Sequence, residues 1–318
     1  MSVKIDIVLA SYNGEKYIDE FIKSLISQTH QNWRLIISDD SSQDNTLSII
    51  NHHIASESRI ILVNQARQGG VVSNFNKALA YVDADYIMFA DQDDLWKPNK
   101  LTNSINKFRE IEQATGNTVP LLLFTDLTLA DEKLEIIAPS FYRYHGFDPL
   151  NNLLTNYLSW CSTLYGCTAL FNRALLTVVY PIDHRVLMHD QIFAFFASLL
   201  GRVIFLDEQT VLYRQHESNV IGGARNRLDH KLKNFINYYK KVENYHKKII
   251  SQANFINERL SKIDLDLDLD LDRLSFLSCI VSSNLFARLQ FWKTCIQPFL
   301  FERTSLNLVL SWLLLVKR

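Results

Sequence analysis

Apolar and polar positions follow two alternating patterns over the first 125 residues. Short apolar runs, typical of buried strands, alternate with segments in which apolar residues recur at helical spacing. The apolar runs predict five strands, at residues 5–10, 35–38, 60–63, 86–90 and 121–125. The helical spacing predicts four helices, at residues 15–28, 47–54, 72–82 and 97–112.

This strand and helix order predicts an α/β fold with a mostly parallel central sheet and helices on both faces. After residue 126 the pattern is mixed, with a predicted helix at 189–200 and two predicted strands at 203–207 and 211–214. In parallel sheets, ligands bind beyond the carboxyl ends of the strands. We therefore expect the functional residues directly after the strands.

Charge divides the chain into two parts. Residues 1–224 hold 17 Lys and Arg against 25 Asp and Glu, whereas residues 225–318 hold 16 against 9. The composition changes after Gly222 and Gly223. We therefore predict an α/β domain over 1–223 and a C-terminal helical region, basic and apolar, over 224–318.

The basic region has two interpretations that stay open. Residues 225–262 carry 10 Lys and Arg and three acids, and the last 40 residues are rich in leucine and aromatic residues. Such segments bind anionic membrane surfaces. They also serve as appendages that pack on the first domain or on a second copy, as in a homo-oligomer. Residues 264–272 strictly alternate Asp and Leu, which we interpret as a polar linker.

The chain starts without the apolar run of a secretory signal and lacks a continuous apolar stretch of about 20 residues. We therefore expect a cytoplasmic protein, with peripheral contact with the inner face of the cytoplasmic membrane as a further hypothesis. The four cysteines form no CxxC pair and have apolar neighbours, so we expect reduced core thiols and no zinc site.

The acidic run 91–94, DQDD, follows the fourth predicted strand. Asp91 and Asp93 are two residues apart, a spacing at which carboxylates share one hard cation such as Mg²⁺ or Mn²⁺. That cation would bridge two phosphates of a substrate. The alternative is a solvated loop with helix-capping acids, which the position after a strand disfavours. Asp94 is a third acid, so the pair that holds the metal stays open.

Polar residues also follow the first three predicted strands. An aspartate at 39 or 40 could accept a hydrogen bond from a pyrimidine N3–H or a ribose hydroxyl, and Tyr12 could stack on a base. The alternatives are helix capping for the acids and ordinary packing for the tyrosine. The nucleotide and donor candidates of these loops are Ser11, Tyr12, Asn13, Asp39, Asp40 and Asn74.

The glycines of the third loop, Gly69 and Gly70, permit close approach of the backbone to a ligand. Their spacing fits neither GxGxxG nor GxxxxGK[ST]. This disfavours a dinucleotide-dependent dehydrogenase and a P-loop kinase.

Three later residues are also candidates. Asp190, at the start of a predicted helix, is a general-base candidate, although an acid there also suits the helix dipole. His216 is a metal or phosphate ligand candidate, and Arg214 could clamp an anion. A purely structural role for each of the three stays open.

Six segments in order resemble the family 2 glycosyltransferases, in particular their bacterial rhamnosyltransferase-like branch. The segments are ASYNGEKYI, ISDDSSQDNT, FADQDDLWKPNKL, YGCTALFN, MHDQ and LYRQHESNVIG. The resemblance covers residues 3–224 and implies a GT-A fold, an inverting single displacement and a catalytic domain over 1–223. It implies transfer of rhamnose or another hexose from a dTDP- or UDP-linked donor to a saccharide or lipid-linked saccharide, in surface polysaccharide or lipopolysaccharide assembly.

The resemblance also implies residue roles. Tyr12 and Asp39 would hold the nucleotide base, Asp190 would be the catalytic base, and Asp91 and Asp93 would hold the metal with help from His216. The acceptor side would be lined by Gly166, Cys167 and Thr168. His189 replaces the glutamate that more often precedes the base, which leaves His189 as a second proton acceptor.

Two other functions remain to be distinguished. A nucleotidyltransferase also pairs such loops with acidic metal sites, but it usually has a basic glycine-rich loop after the first strand, where this chain has SYNGEKYI. A catalytically inactive protein that binds sugar nucleotides is disfavoured by the presence of Asp91, Asp93 and Asp190. We expect no nucleic-acid partner.

Overall fold

The computed structural model describes residues 3–150, 164–216 and 235–263. Its contacts divide the chain into one unit of residues 1–184 and 188–223 and a second unit of residues 185–187 and 224–318. The predicted domain boundary at residue 223 stays a prediction. The Asp-Leu repeat and the apolar C-terminal end lie outside the described residues.

The described part of the first unit is built on a nine-stranded sheet with the order β3-β2-β1-β4-β8-β6-β9-β5, and β7 pairs with β6. The strands are β1 Ile5–Ser11, β2 Trp33–Asp39, β3 Ile60–Asn64, β4 Tyr86–Ala90, β5 Leu95–Trp96, β6 Leu121–Ala130, β7 Ile136–Ala138, β8 Leu170–Asn172 and β9 Arg202–Arg214. The run β3-β2-β1-β4 is parallel, and β6 pairs with β9 in parallel. The predicted α/β class with a mostly parallel sheet is confirmed.

Helices connect and follow these strands. They are α1 Ile18–Ile26, α2 Thr46–Ser56, α3 Val71–Leu79, α4 Lys100–Thr115, α5 Phe141–His145, α6 Arg173–Val179 and α7 His189–Leu200, with a 3₁₀ turn at Gly166–Thr168. The apolar face of α1 explains its position, because Ile18, Phe21, Ile22 and Leu25 are fully buried. The four helices predicted before residue 125 are present, with ends shifted by a few residues.

The sheet differs from the prediction at β8 and β9. Strand β8 is antiparallel to both β4 and β6 and lies between them. The two strands predicted at 203–207 and 211–214 form one strand, β9. Its register against β6 shifts at Asp126, where Leu206 pairs with Thr125 but Gln209 pairs with Asp126. This bulge places the polar residues Asp207 and Glu208 inside a continuous strand, which explains the interruption of the apolar pattern.

The second unit contains the helix α8, Phe235–Leu260. Within this unit Arg185 binds the carboxylate of Glu258 with two hydrogen bonds of 2.8 Å, and the backbone N–H of Leu187 donates to Gln252 at 2.7 Å. Within the described residues, no helix is both long enough and apolar enough to span a bilayer.

Candidate functional site

The predicted site residues meet at the carboxyl edge of the sheet. Ser11 and Asp39 are register partners at the ends of β1 and β2, and Asp91 directly follows β4, which pairs with β1. This edge therefore brings together the loops after three neighbouring strands, as the topology of a parallel sheet requires.

Asp39 lies in a closed hydrogen-bond network below the surface of this edge. Its carboxylate accepts bonds from the hydroxyl of Ser11 at 2.8 Å, and from the N–H and hydroxyl of Ser42 at 2.7 and 2.6 Å. Asn74 joins the same network, because it accepts from Ser38 and donates to the carbonyl of Ser11. The buried side chains of Ser11, Asp39 and Asn74 thus use their polar atoms to join the ends of β1 and β2 to α3.

Asp40 orders the glycine loop. Its carboxylate accepts backbone N–H bonds from Gln68, from Gly69 at 3.0 Å and from Gly70 at 3.1 Å. Both glycines have positive φ angles, 84° and 139°, which glycine adopts at low cost. The Asp40 carboxylate therefore accepts the N–H of Gly70, the N-cap residue of α3, and places negative charge at the N-terminus of this helix. Asp40 has a structural explanation, and its donor-binding role stays a prediction.

The loop after β1 presents Tyr12 to solvent. The Tyr12 side chain is 46% exposed, while Asn13 adopts a φ of 46° and bonds to the loop after β2. Of the nucleotide candidates, Tyr12 is the one with an open aromatic face, which suits stacking on a base.

Asp91 and Asp94 lie with Cys167 in a tight group, in which one ligand atom from each residue is within 4.8 Å of the others. Burial, followed by the charges of Asp93 and Asp190, raises the pKa of Asp91 to about 7. Burial, then the charges of Asp93 and Asp91, also raises the pKa of Asp94 well above its ordinary value. Among the described residues no nitrogen or oxygen donates to either carboxylate oxygen of Asp94, which is only 1% exposed, and the Cys167 thiol beside it lowers its pKa.

Asp93, the remaining acid of the run, has a different partner. The carboxylate of Asp93 lies 2.8 Å from Nε2 of His216, and the His216 ring stacks on Tyr17 with a centroid distance of 5.0 Å. The structure therefore brings His216, which follows β9, against the loop that holds Asp91 and Asp93. The tight ligand group, however, contains Asp94 and Cys167 rather than Asp93 and His216.

These residues fit a divalent cation. Burial and neighbouring carboxylates raise the pKa values of Asp91 and Asp94, and the buried Lys100 ammonium offsets part of this for Asp94. A divalent cation bound here would add further charge compensation to this loop. Carboxylate oxygens are hard ligands, which Mg²⁺ and Mn²⁺ prefer. Asp91 is common to the predicted set and to the observed group.

Arg214 forms its described contacts with other groups of the protein. Its guanidinium donates to the backbone carbonyls of Asp93 at 3.1 Å and Glu132 at 2.7 Å, and it forms an ion pair with Glu20. It is 4% exposed and lies over the ring of Tyr17. These contacts hold the acidic loop against the end of β9 and engage the Arg214 guanidinium within the protein. The role of Arg214 as an anion clamp stays a prediction.

Asp190, the candidate base, is 5% exposed at the start of α7. Its carboxylate accepts the N–H of Gly166 at 2.9 Å and that of Gln191 at 2.7 Å. Burial raises the pKa of Asp190 to about 6, although both backbone bonds lower it. The carboxylate is therefore mostly ionised at neutral pH and more basic than an exposed aspartate.

The turn Gly166–Thr168 connects the base to the acidic loop. Gly166 binds Asp190, and its neighbour Cys167 groups with Asp91 and Asp94. All three residues of the turn are buried, so they underlie this part of the site. Their predicted position on the acceptor side stays a prediction. Cys167 is a free, buried thiol as expected, and the other cysteines lie outside the described residues.

His189 is poorly placed as a second proton acceptor. Its ring stacks on Phe75 with a centroid distance of 3.7 Å and meets the edge of Phe89 with a centroid distance of 4.6 Å, and neither ring nitrogen has a hydrogen-bond partner among the described residues. Burial lowers the pKa of His189 to about 3, so the ring is neutral and a weak base.

Two residues at this edge, Gln92 and Lys100, could not be predicted from the sequence. Gln92 bonds to the backbone of Tyr12 through its side chain. Lys100 is fully buried, with its ammonium 3.3 Å from the hydroxyl of Thr210 and over the ring of Trp96, and burial lowers its pKa to about 8. No local pattern marks either residue, because both roles depend on contacts distant in sequence.

Comparison with known families gives a match over residues 6–176 to the family described as Glycosyl transferase family 2. An uncharacterized glycosyltransferase of Nostoc sp. is 27% identical over 220 residues, which are 68% of this chain and 66% of that protein. The match therefore spans slightly under two thirds of that relative.

The dTDP-rhamnosyl transferase RfbG of Shigella flexneri is 30% identical over 229 residues, 67% of this chain and 73% of that protein. Among solved structures, residues 1–349 of S. aureus TarS in complex with UDP-GlcNAc are similar, with a TM-score of 0.57 and 18% identity. That likeness covers 98% of this chain and 79% of the other, and it confirms the predicted GT-A fold class.

Proposed function

The chain belongs to glycosyl transferase family 2, and from that membership we propose that it is a metal-dependent hexosyltransferase that moves a sugar from a nucleoside-diphosphate donor to a hydroxyl of a saccharide acceptor. The observation that carries this proposal is the juxtaposition at the carboxyl edge. A buried, ionisable carboxylate at Asp190 and the acidic loop at 91–94 meet through one turn, Gly166–Thr168.

In this proposal Asp190 accepts the proton of the incoming hydroxyl. The acceptor oxygen then bonds to the anomeric carbon, while the bond from that carbon to the diphosphate oxygen breaks and the electron pair leaves with the diphosphate. A single displacement of this kind inverts the anomeric centre. The N–H bonds from Gly166 and Gln191 fix the orientation of the carboxylate without taking its proton-accepting ability, since its pKa stays near 6.

The residues that would hold the cation are Asp91 with Asp93 or Asp94, and His216 orients Asp93. A bound Mg²⁺ or Mn²⁺ supplies neutralisation of the charge that develops on the diphosphate leaving group. Arg214 contributes by fixing the backbone at Asp93, because it donates to that carbonyl.

The nucleotide would lie over the loops after β1 and β2, with the exposed Tyr12 ring against the base. Asp39 would support that position through Ser11 and Ser42, since its oxygens are already bonded. Rhamnose or another hexose on dTDP or UDP is the donor that we propose. The similarity to a dTDP-rhamnosyl transferase supports rhamnose on dTDP. The likeness to a structure in complex with UDP-GlcNAc supports a UDP-linked sugar.

For the acceptor we propose a saccharide or a lipid-linked saccharide of a bacterial surface polysaccharide or lipopolysaccharide. The basic and apolar composition of residues 225–318 supports work at the inner face of the cytoplasmic membrane. Packing of this region against a second copy is the alternative, and it would make the protein a homo-oligomer.

A thermal-shift screen of the full chain against nucleotide sugars tests the donor assignment. Binding to the folded state raises the melting temperature by mass action. We expect a dTDP- or UDP-linked hexose to raise it in Mn²⁺ and to raise it less after chelation. No shift with any nucleotide sugar, in the presence of either cation, contradicts the proposal.

A further inference from the structure

Gln92 lies between two candidate metal residues, yet its side chain contacts the loop after β1. Its carboxamide oxygen accepts the backbone N–H of Tyr12 at 3.1 Å, and its nitrogen donates to the backbone carbonyl of Tyr12 at 3.0 Å. One side chain therefore satisfies both backbone groups of a residue 80 positions away in sequence.

Gly14 provides the space for this contact. A Cβ atom at position 14 would lie 2.3 Å from the carboxamide oxygen of Gln92 and 2.9 Å from its nitrogen. Separations this short force the Gln92 side chain to move. The glycine after Tyr12 and Asn13 is thus explained by close approach of a side chain from another loop.

The chemistry of the contact selects an amide. One end must accept from an N–H and the other must donate to a carbonyl, which an ionised glutamate cannot do. Asparagine has the same groups on a shorter side chain. The Tyr12 ring itself is 46% exposed, so hydrogen bonds of its backbone, rather than core packing, hold it in place.

We propose that Gln92 is a positioning residue that sets the Tyr12 ring at a fixed spacing from the acidic loop, and so aligns the base end of a nucleotide donor with its diphosphate end. The inference rests on the proposed function, because it takes Tyr12 as the base contact and Asp91 as a cation ligand. It adds a residue that joins the two halves of the donor site.

The first test is a double-mutant cycle on nucleotide affinity, measured by titration calorimetry with UDP and with dTDP in Mn²⁺. We expect Gln92→Met to weaken the better-bound nucleotide about tenfold, as loss of two neutral hydrogen bonds should. In a Tyr12→Ala background Gln92→Met should weaken nucleotide affinity less than about twofold, because the ring that Gln92 positions is absent. Gln113→Met, at an exposed position in α4, is the matched control and should leave affinity unchanged.

Equal losses in the two backgrounds overturn the positioning role, because Gln92 would then act independently of the ring. Loss of affinity for Gln113→Met of the same size also overturns it. Circular dichroism of each variant checks that the change in affinity is not a change in folding.

The second test uses melting temperature and needs no nucleotide. Gly14→Ala should lower the melting temperature in the wild-type chain and have little effect in a Gln92→Ala background, where the methyl group has room. An equal cost in both backgrounds overturns the contact itself. If the wild-type chain binds neither nucleotide, the proposed function and the positioning role both fail, and this cycle still reports whether the two loops are joined.

Discussion

At the scale of single residues, the environment of Asp190 combines burial with two backbone hydrogen bonds. Burial makes the carboxylate a stronger base, and the N–H groups of Gly166 and Gln191 fix its direction. A general base works best when its pKa lies near the operating pH. A pKa of about 6 meets that requirement, since the group is ionised at neutral pH but still takes up a proton readily.

Replacement of this carboxylate tests the assignment. We expect Asp190→Asn to lower turnover by about two to four orders of magnitude, the usual contribution of a positioned base. Donor affinity should barely change, because the hydrogen bonds described for the Asp190 carboxylate come from the backbone of Gly166 and Gln191 and not from the nucleotide loops. Steady-state kinetics and donor titration measure the two effects. Near wild-type turnover contradicts the assignment, and His189→Ala, expected to affect folding more than the pH profile, is the comparison variant.

The pH dependence of the same residue gives a second readout. Turnover of the wild-type chain should fall as the pH decreases through about 6, because a protonated Asp190 accepts no proton. The folded pKa is raised from 3.8, so the contribution of Asp190 to stability is full below about pH 4 and is lost as the pH rises through about 6.

Asp190→Asn does not titrate at this position, so its difference from the wild-type chain reports the titration of Asp190 together with the effect of that charge on Asp91. The unfolding free energy of the wild-type chain minus that of the variant should decrease between pH 4 and pH 7 by up to about 3 kcal/mol. Denaturant titration at several pH values measures the difference. A difference that stays constant over this range contradicts the raised pKa.

The sequence indicates where the site residues lie but not how their polar atoms are used. Position after a strand correctly places Ser11, Asp39 and Asp91 at one edge of the sheet. Whether an aspartate faces a ligand or its own loop depends on contacts such as Ser42 with Asp39 and Gly69 with Asp40. Such contacts carry no sequence period, so they could not be predicted.

At the scale of elements, apolar runs and helical spacing predicted β1 to β4 and α1 to α4, because burial on a known period leaves a local signature. The position of β8 between β4 and β6 carried no such signal, since an apolar run does not specify strand direction. The two strands predicted near 203–214 were wrong as separate elements, because a bulge at Asp207 and Glu208 interrupts the apolar pattern of one strand.

The turn Gly166–Thr168 is the element that sets the base against the acidic loop. A Cβ at position 166 would lie 3.0 Å from Nε2 of His189 and 3.3 Å from Cβ of Asp190. We expect Gly166→Ala to lower turnover by about 10- to 100-fold, because a displacement of about 1 Å at a reacting group has that effect. Nucleotide affinity, measured in parallel, should stay unchanged. Unchanged turnover with normal folding would show that the turn does not position Asp190.

At the scale of the whole molecule, the charge asymmetry predicts a membrane-surface role for residues 225–318, which lie largely outside the described residues. Each basic residue near an anionic leaflet contributes about 1 kcal/mol, and salt weakens that attraction. We expect the full chain to co-sediment with anionic liposomes, less so at high salt. A chain that ends at Gly223, if it folds, should bind the donor but no liposomes. Absence of liposome binding by the full chain at low salt rejects this role and favours packing or dimerisation.

Identification of the phosphate product is the most direct test of metal-dependent sugar transfer from a nucleoside-diphosphate donor. Phosphorus NMR of the full chain with a bound nucleotide sugar distinguishes the reaction classes. We predict release of nucleoside diphosphate in Mn²⁺ or Mg²⁺, loss of that release in EDTA, and recovery when the cation is restored. Release of pyrophosphate, which marks nucleotidyl transfer, full release of nucleoside diphosphate in EDTA, or no turnover of any bound donor would contradict the account.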